Sequence, residues 1–352
     1  MRLLAAATAA ALVALLLAGS AAAEPDRAKG KRQPRAAAPR ERLGPAPPRF
    51  GVRRWTIAYR AHDGRRSVAH VLLPAWYGPR DNPPLPLIIS PHGRGLSGLR
   101  NAGIWGGLPA RGPFAVVNPD ARGRRLPRYS WGYAGQIDDL ARMPEIVTRT
   151  LPWLRIDRTR VYAFGGSMGG QETLLLVARY PRLLAGAAAF DAVTDFTLQY
   201  RRFRELSCRG GCRGAWKVSL GDGLQTLARR EIGGTPKTAP TRFRQRSPLT
   251  YARRIAHSCV PLQLWWSVAD RVVTQPQRQS GRLFWELRRL NPDAPVQAFV
   301  GFWIHSAEMR AKSMLPVALA AFDLLPEPEG ERPLPVRVVP PPPGASFCVP
   351  FE

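Results

Sequence analysis

The sequence predicts an α/β protein with a mostly parallel central sheet, helices on both faces and a lid-like insertion. Three observations predict it. Between Phe50 and Leu325 short apolar runs alternate with longer amphipathic ones, as expected for doubly covered strands joined by helices. The chain has 352 residues and is 45% hydrophobic, which supplies a core for one large domain and excludes wholesale disorder. The rhythm breaks once, over about 193–246, where Arg, Gly and aromatics (Phe196, Tyr200, Phe203, Trp216, Phe243) replace it. No repeat of 20 to 50 residues is visible, and no heptad or collagen-like period accompanies the 32 glycines and 36 prolines. Fibres and coiled coils are excluded.

Taken in order, WTIAY (55–59) and SVAHVLL (67–73) read as an antiparallel opening pair. PLIIS (86–90) and FAVVNP (114–119) are short buried strands. YAGQIDDLARMPEIVTRTL (133–151) has helical spacing, with Pro144 expected to bend or break it. RVYAF (160–164) is a strand that runs into a glycine-rich turn, followed by the helix GQETLLLVARY (170–180) and the strand LAGAAAF (184–190). After the insertion come the strand PLQLWW (261–266), the helix-like PQRQSGRLFWELRRL (276–290) and the strand PVQAFVG (295–301). A final helix is expected from about Ser306 to Leu325.

The N-terminal residues 1–23 have the anatomy of a secretory signal peptide. Arg2 opens them, residues 3–18 are apolar, and Ala21-Ala22-Ala23 fits a cleavage site before Glu24. An uncleaved anchor is the competing reading, but the run is shorter than the ~20 residues of a spanning helix. The expected mature protein is secreted and soluble. Residues 24–48 are Pro, Ala and Arg with few large apolar side chains, the composition of a linker. The tail, 326–352, contains a run of prolines at 340–343 that favours polyproline II. Its Phe347, Cys348, Val349 and Phe351 suggest that the last residues dock back onto the body.

Four cysteines in an exported chain are expected to pair. Cys208 with Cys212 would close a small loop, and Cys259 with Cys348 would pin the tail. A zinc half-site at Cys208 and Cys212 lacks neighbouring ligands. No metal site and no cofactor is expected.

The net charge is +27, with 52 basic residues of which only five are lysines. Scattered arginines without a recognisable motif argue against specific nucleic acid binding. They fit electrostatic contact with anionic envelope polymers or lipid surfaces. Oligomeric state is not legible.

The sharpest motif is Gly165-Gly166-Ser167-Met168-Gly169 between a strand and a helix, the context of a nucleophile elbow. A Gly-rich turn with a helix-capping serine is the competing explanation. A serine hydroxyl needs a base, itself oriented by an acid. Of the five histidines, His62 and His70 lie in the opening strands, His92 follows an early strand and His257 precedes a later one. His305, in the loop after PVQAFVG, has the position expected in a Ser…Asp…His chain order. Asp270, after PLQLWW, is the expected acid, with Asp191 and Asp195 as competitors. Pro91-His92-Gly93-Arg94-Gly95 follows an early strand where a loop amide reaches an oxyanion. The oxyanion hole is therefore assigned to the amides of Met168 and of Gly93 or Arg94, leaving His92 structural. Trp131, Tyr133, Trp266, Phe302 and Trp303 either line an aromatic acyl pocket or belong to the core.

At these residues the chain resembles the α/β-hydrolase superfamily, most closely the prolyl oligopeptidase-family catalytic domain and related secreted esterases. The resemblance spans about 50–325, with the hydrolase domain taken as 49–325. It rests on GGSMGGQET around Ser167, RSPLTYARRI (246–255), VADRVV around Asp270 and IGGTP (232–236). It implies an α/β-hydrolase fold, a Ser167–His305–Asp270 triad and acyl transfer through an acyl-enzyme. Trp266-Ser267 replaces the family's common His-Gly, and the histidine loop reads WIHS rather than a glycine-flanked GH. Only a short linker precedes residue 50, without the propeller of the peptidases, so the expectation is a carboxylesterase-like secreted serine hydrolase. A serine-type peptidase is the alternative, and a non-catalytic binding module with a hydrolase fold is the lower one. The substrate is expected to be a small-molecule or polymeric ester or peptide.

Overall fold

Nine strands form one sheet in this computed structural model, which describes residues 51–206, 220–326 and 337–340. The expected signal peptide and linker lie outside the described residues, as do Cys208, Cys212, Cys348 and most of the tail. Both proposed cysteine pairings therefore fall outside them.

The strands are β1 (Val52–Arg60), β2 (Arg66–Pro74), β3 (Leu85–Ile89), β4 (Ala115–Pro119) and β5 (Ile156–Gly166). They continue as β6 (Gly186–Phe190), β7 (Leu262–Ser267), β8 (Val296–Gly301) and β9 (Arg337–Val339). Their order is β1-β2-β4-β3-β5-β6-β7-β8-β9. β1 and β2 are antiparallel, and β2 meets β4 antiparallel. The neighbours from β4 through β8 are all parallel. Antiparallel β9 pairs with β8 through Ala298 and Val339, a strand within the stretch expected to be tail.

Period-two alternation explains the continuous apolar runs. Leu87 and Ile89, Ala115 and Val117, Val161 and Ala163, and Leu262 and Leu264 point to one core. Their neighbours Ile88, Val116, Tyr162, Phe164 and Trp265 point to the other. The first face is covered by helices that include Ala134–Ala141, Met143–Thr150, Met168–Arg179 and Ser280–Leu290. The second is covered by Leu108–Arg111 and Leu315–Ala320. Trp265 stacks on Phe299 across β7 and β8, ring centroids 3.9 Å apart.

Proline decides two helix boundaries. The run 133–151 divides at Arg142, and Pro144 lies in the first turn of the second helix, where its missing N–H costs nothing. The expected long helix over 306–325 is corrected. Pro316 can stand only in a first turn, so the helix is short, Leu315–Ala320, and 302–314 is irregular. That leaves the residues after β8 free to shape a site.

The insertion adds the helices Phe196–Arg202, Leu220–Ile232 and Pro240–Gln245. Phe196, Phe203 and Phe243 pack with Trp131 and Met168 in a third apolar cluster. Buried Glu231 joins the insertion to the body. Its carboxylate accepts from the amides of Arg124, Arg125 and Leu126 and pairs with buried Arg246 at 3.1 Å. IGGTP ends the helix Leu220–Ile232. Gly233 (φ 79°) and Gly234 donate to the Arg229 carbonyl, a left-handed helix stop.

Candidate active site

Strand order locates the site before any side chain is considered. After β3 the chain steps outward to β4, and after β5 it steps the opposite way to β6. The carboxyl ends of β3 and β5 thus flank a topological switch point, where open α/β sheets bind ligands. The 91–93 loop leaves β3 there, and Ser167 follows β5.

Ser167 has φ 59° and ψ −122°, and its side chain makes no cap hydrogen bond to its helix. A capping serine would have extended backbone and accept from an amide in the first turn, so the capping explanation fails. The strained turn is held by close approaches. A Cβ on Gly165 would lie 2.4 Å from the Gly169 carbonyl carbon, and one on Gly169 would lie 2.2 Å from the Pro91 carbonyl oxygen. Strand, helix and the 91–93 loop therefore meet at backbone distance.

Gly93 lies against the serine, since a Cβ built on it would be 3.8 Å from Ser167 Cβ. Among the described residues, no backbone acceptor takes the amides of Gly93, Arg94 or Met168. His92 is fully buried: its Nε2 accepts from the Ala121 amide and its Nδ1 faces the Gly93 carbonyl at 2.7 Å. Burial lowers its pKa. It braces the loop and does not line the cavity.

His305 and Asp270 meet directly, Nδ1 to Oδ2 at 2.8 Å. The other Asp270 oxygen accepts from the amides of Val272 and Val273 at 2.7 and 3.1 Å, which fixes the carboxylate. Ser167 and His305 line one cavity of about 890 Å³. No hydrogen bond of 3.5 Å or less joins them among the described residues, and such bonds often tighten only around substrate.

Asp191, a competing acid in the sequence reading, has another task. At positive φ (42°) and 1% exposure, it accepts from Ser267 N at 2.8 Å, Trp303 Nε1 at 3.0 Å and Ser306 N at 2.7 Å. It ties the ends of β6 and β7 to the histidine loop. Asp195 caps the helix Phe196–Arg202 through the Leu198 amide and is not at the site. Asp191, Asp270 and His305 place ligand atoms within 4.8 Å of one another. The bonds just described already engage the oxygens of both carboxylates and His305 Nδ1.

Sequence reasoning missed Glu308, which is fully buried beside Asp191 with neither carboxyl oxygen hydrogen-bonded. Burial pushes its pKa well above the usual range, and Asp191 adds to the shift. Burial raises Asp191 as well, with Asp270 adding and His305 opposing. Two such carboxyls do not both ionise readily, and the three N–H donors on Asp191 favour its charged form. Local sequence makes Glu308 part of an expected final helix, where a glutamate carries no signal of a place beside the site.

Of the two readings of the candidate aromatics, the core one fits the three tryptophans and the pocket one fits none of the five. Trp131, Trp266 and Trp303 are buried in the three apolar clusters, and Phe302 is 76% exposed. Neither they nor Tyr133 line the cavity. It is formed instead by Leu96, Arg100, Ile104, Met309, Arg310 and neighbours, from the loops after β3 and β8.

No family model matches the chain, and no curated protein matches its sequence. Solved structures do. An acylaminoacyl peptidase from Pyrococcus horikoshii aligns over 77% of this chain with TM-score 0.55 and 16% identity, covering 41% of its own length. An esterase from Pyrobaculum calidifontis aligns over 73% (TM-score 0.53, 16% identity, 76% of its length). The Pyrococcus furiosus esterase PF2001 aligns over 78% (TM-score 0.52, 14% identity, 91% of its length). The chain spans about two fifths of the peptidase's length. With sheet order, elbow and the histidine–aspartate pair all in place, this chain has the α/β-hydrolase fold.

Proposed function

We propose that the protein is a serine hydrolase that cleaves an ester through an acyl-enzyme. One observation carries the reading: a strained, non-capping Ser167 opens into the same cavity as a histidine paired with a buried aspartate. In this mechanism Ser167 Oγ attacks the acyl carbon while His305 Nε2 takes its proton. Asp270 holds the Nδ1–H tautomer and stabilises the imidazolium. The amides of Met168 and of Gly93 or Arg94 take the developing oxyanion. The imidazolium then protonates the leaving alcohol, and water, activated by the same histidine, releases the acid. A peptide bond is the second reading, supported by the likeness to the acylaminoacyl peptidase. Export is part of the proposal on the pattern of residues 1–23, and a secreted product beginning at Glu24 tests it.

The decisive experiment is labelling with a fluorophosphonate, together with hydrolysis of short p-nitrophenyl esters. Wild-type protein should label and turn over, and Ser167→Ala should do neither. Undiminished labelling of Ser167→Ala would overturn the nucleophile assignment.

A further inference from the structure

The cavity beside Ser167 is lined by four cationic side chains, Arg94, Arg100, Arg310 and Lys312, and by no carboxylate. None of the four is in an ion pair within 4.0 Å among the described residues. Several arginines elsewhere in the fold are paired, among them Arg246 with Glu231, Arg142 with Asp139 and Arg122 with Asp63. Arg94 is partly buried, which costs its guanidinium hydration, and Asp270 acts on it only from beyond ion-pair distance. A cleft lined by one sign of charge concentrates counter-ions inside it. The same lining includes Leu96, Ile104 and Met309, which suit a short carbon chain.

We propose that the preferred substrate is an anionic ester, whose short carbon chain ends in a carboxylate or phosphate that the cavity cations hold. The proposal rests on the hydrolase reading and deepens it. The planar guanidinium fork matches either oxyanion in bidentate fashion.

The experiment compares kcat/KM for p-nitrophenyl hemiglutarate with that for p-nitrophenyl valerate, a neutral ester of equal acyl length. At low ionic strength the hemiester should be favoured on the order of tenfold. Roughly 0.5 M salt should compress that ratio. In the double variant Arg310→Gln/Lys312→Gln the ratio should fall towards one, with folding checked by circular dichroism. Arg111→Gln, an exposed arginine outside the cavity, controls for net charge and should leave the ratio in place. Inhibition of valerate hydrolysis by glutarate against inorganic phosphate ranks the two anions. Equal turnover of both esters, or a preference for the neutral one, overturns the proposal while leaving the hydrolase reading standing. If neither ester is turned over and no fluorophosphonate labelling occurs, the hydrolase reading fails instead. Glutarate binding to Ser167→Ala, measured by calorimetry, then decides the cavity alone: binding lost in the Arg310→Gln/Lys312→Gln background supports it, and no binding in Ser167→Ala sinks it.

Discussion

Ser167 and Asp270 are both set by their backbones, one by a strained turn at φ 59° and the other by two amides that leave a single oxygen for His305. Replacing that oxygen is therefore a sensitive test of the proposed relay. Asp270→Asn keeps the volume but favours the wrong imidazole tautomer, and kcat should fall by about 10³–10⁴ with little change in melting temperature. Glu172 makes a second prediction. It is fully buried in the helix behind Ser167, accepts from the Ser130 hydroxyl, and leaves its other oxygen unpartnered. Burial pushes its pKa up to about 8. The folded state thus holds this proton over a range in which the unfolded chain has lost it. Stability from this group is fully present below the ordinary carboxyl pKa of about 4.5, and it declines as pH rises, until the folded pKa is passed. Glu172→Gln should flatten that decline, by on the order of a few kcal/mol at pH 8 in urea unfolding.

Among elements, the apolar runs were the most legible. A strand buried on both faces reads as a nearly continuous apolar run, and β3, β4, β6 and β7 are buried throughout, with hydrogen-bonded Asn118, Gln263 and Ser267 as the polar exceptions. The histidine and aspartate loops followed from strand order, because each leaves a parallel strand at its carboxyl end. Less was legible where contacts are remote in sequence. Nothing near Asp191 announces that Ser267, Trp303 and Ser306 will all donate to it. Nor does the pairing of β9 with β8 show in the local pattern, whereas Pro316 does mark the start of the short helix after 314. Glu231 is another such case, since its partners at 124–126 and 246 come from distant segments. Glu231→Gln would leave Arg246 buried and uncompensated, and unfolding should become easier by about 3–5 kcal/mol. Limited proteolysis should then cut first within 193–246, as a detached insertion exposes its backbone.

At the scale of the molecule, the excess of arginine is the largest unassigned property. Net +27 sets a field reaching about a Debye length from the surface, roughly 10 Å at 0.1 M salt. We expect sedimentation with vesicles containing anionic lipid, binding that weakens steadily as salt is raised and is absent with zwitterionic vesicles. Retention that is indifferent to salt would remove the electrostatic explanation. Composition alone suggested this surface, and no geometry was needed to state it.

β9 contributes only three residues, yet it occupies the hydrogen-bonding flank of β8 that would otherwise lie open. An uncovered flank of that kind is a template on which another copy can add a strand, and seeding of that sort leads to aggregates. A chain cut back to residue 326 would keep every side chain proposed for catalysis, yet lose this guard against self-association.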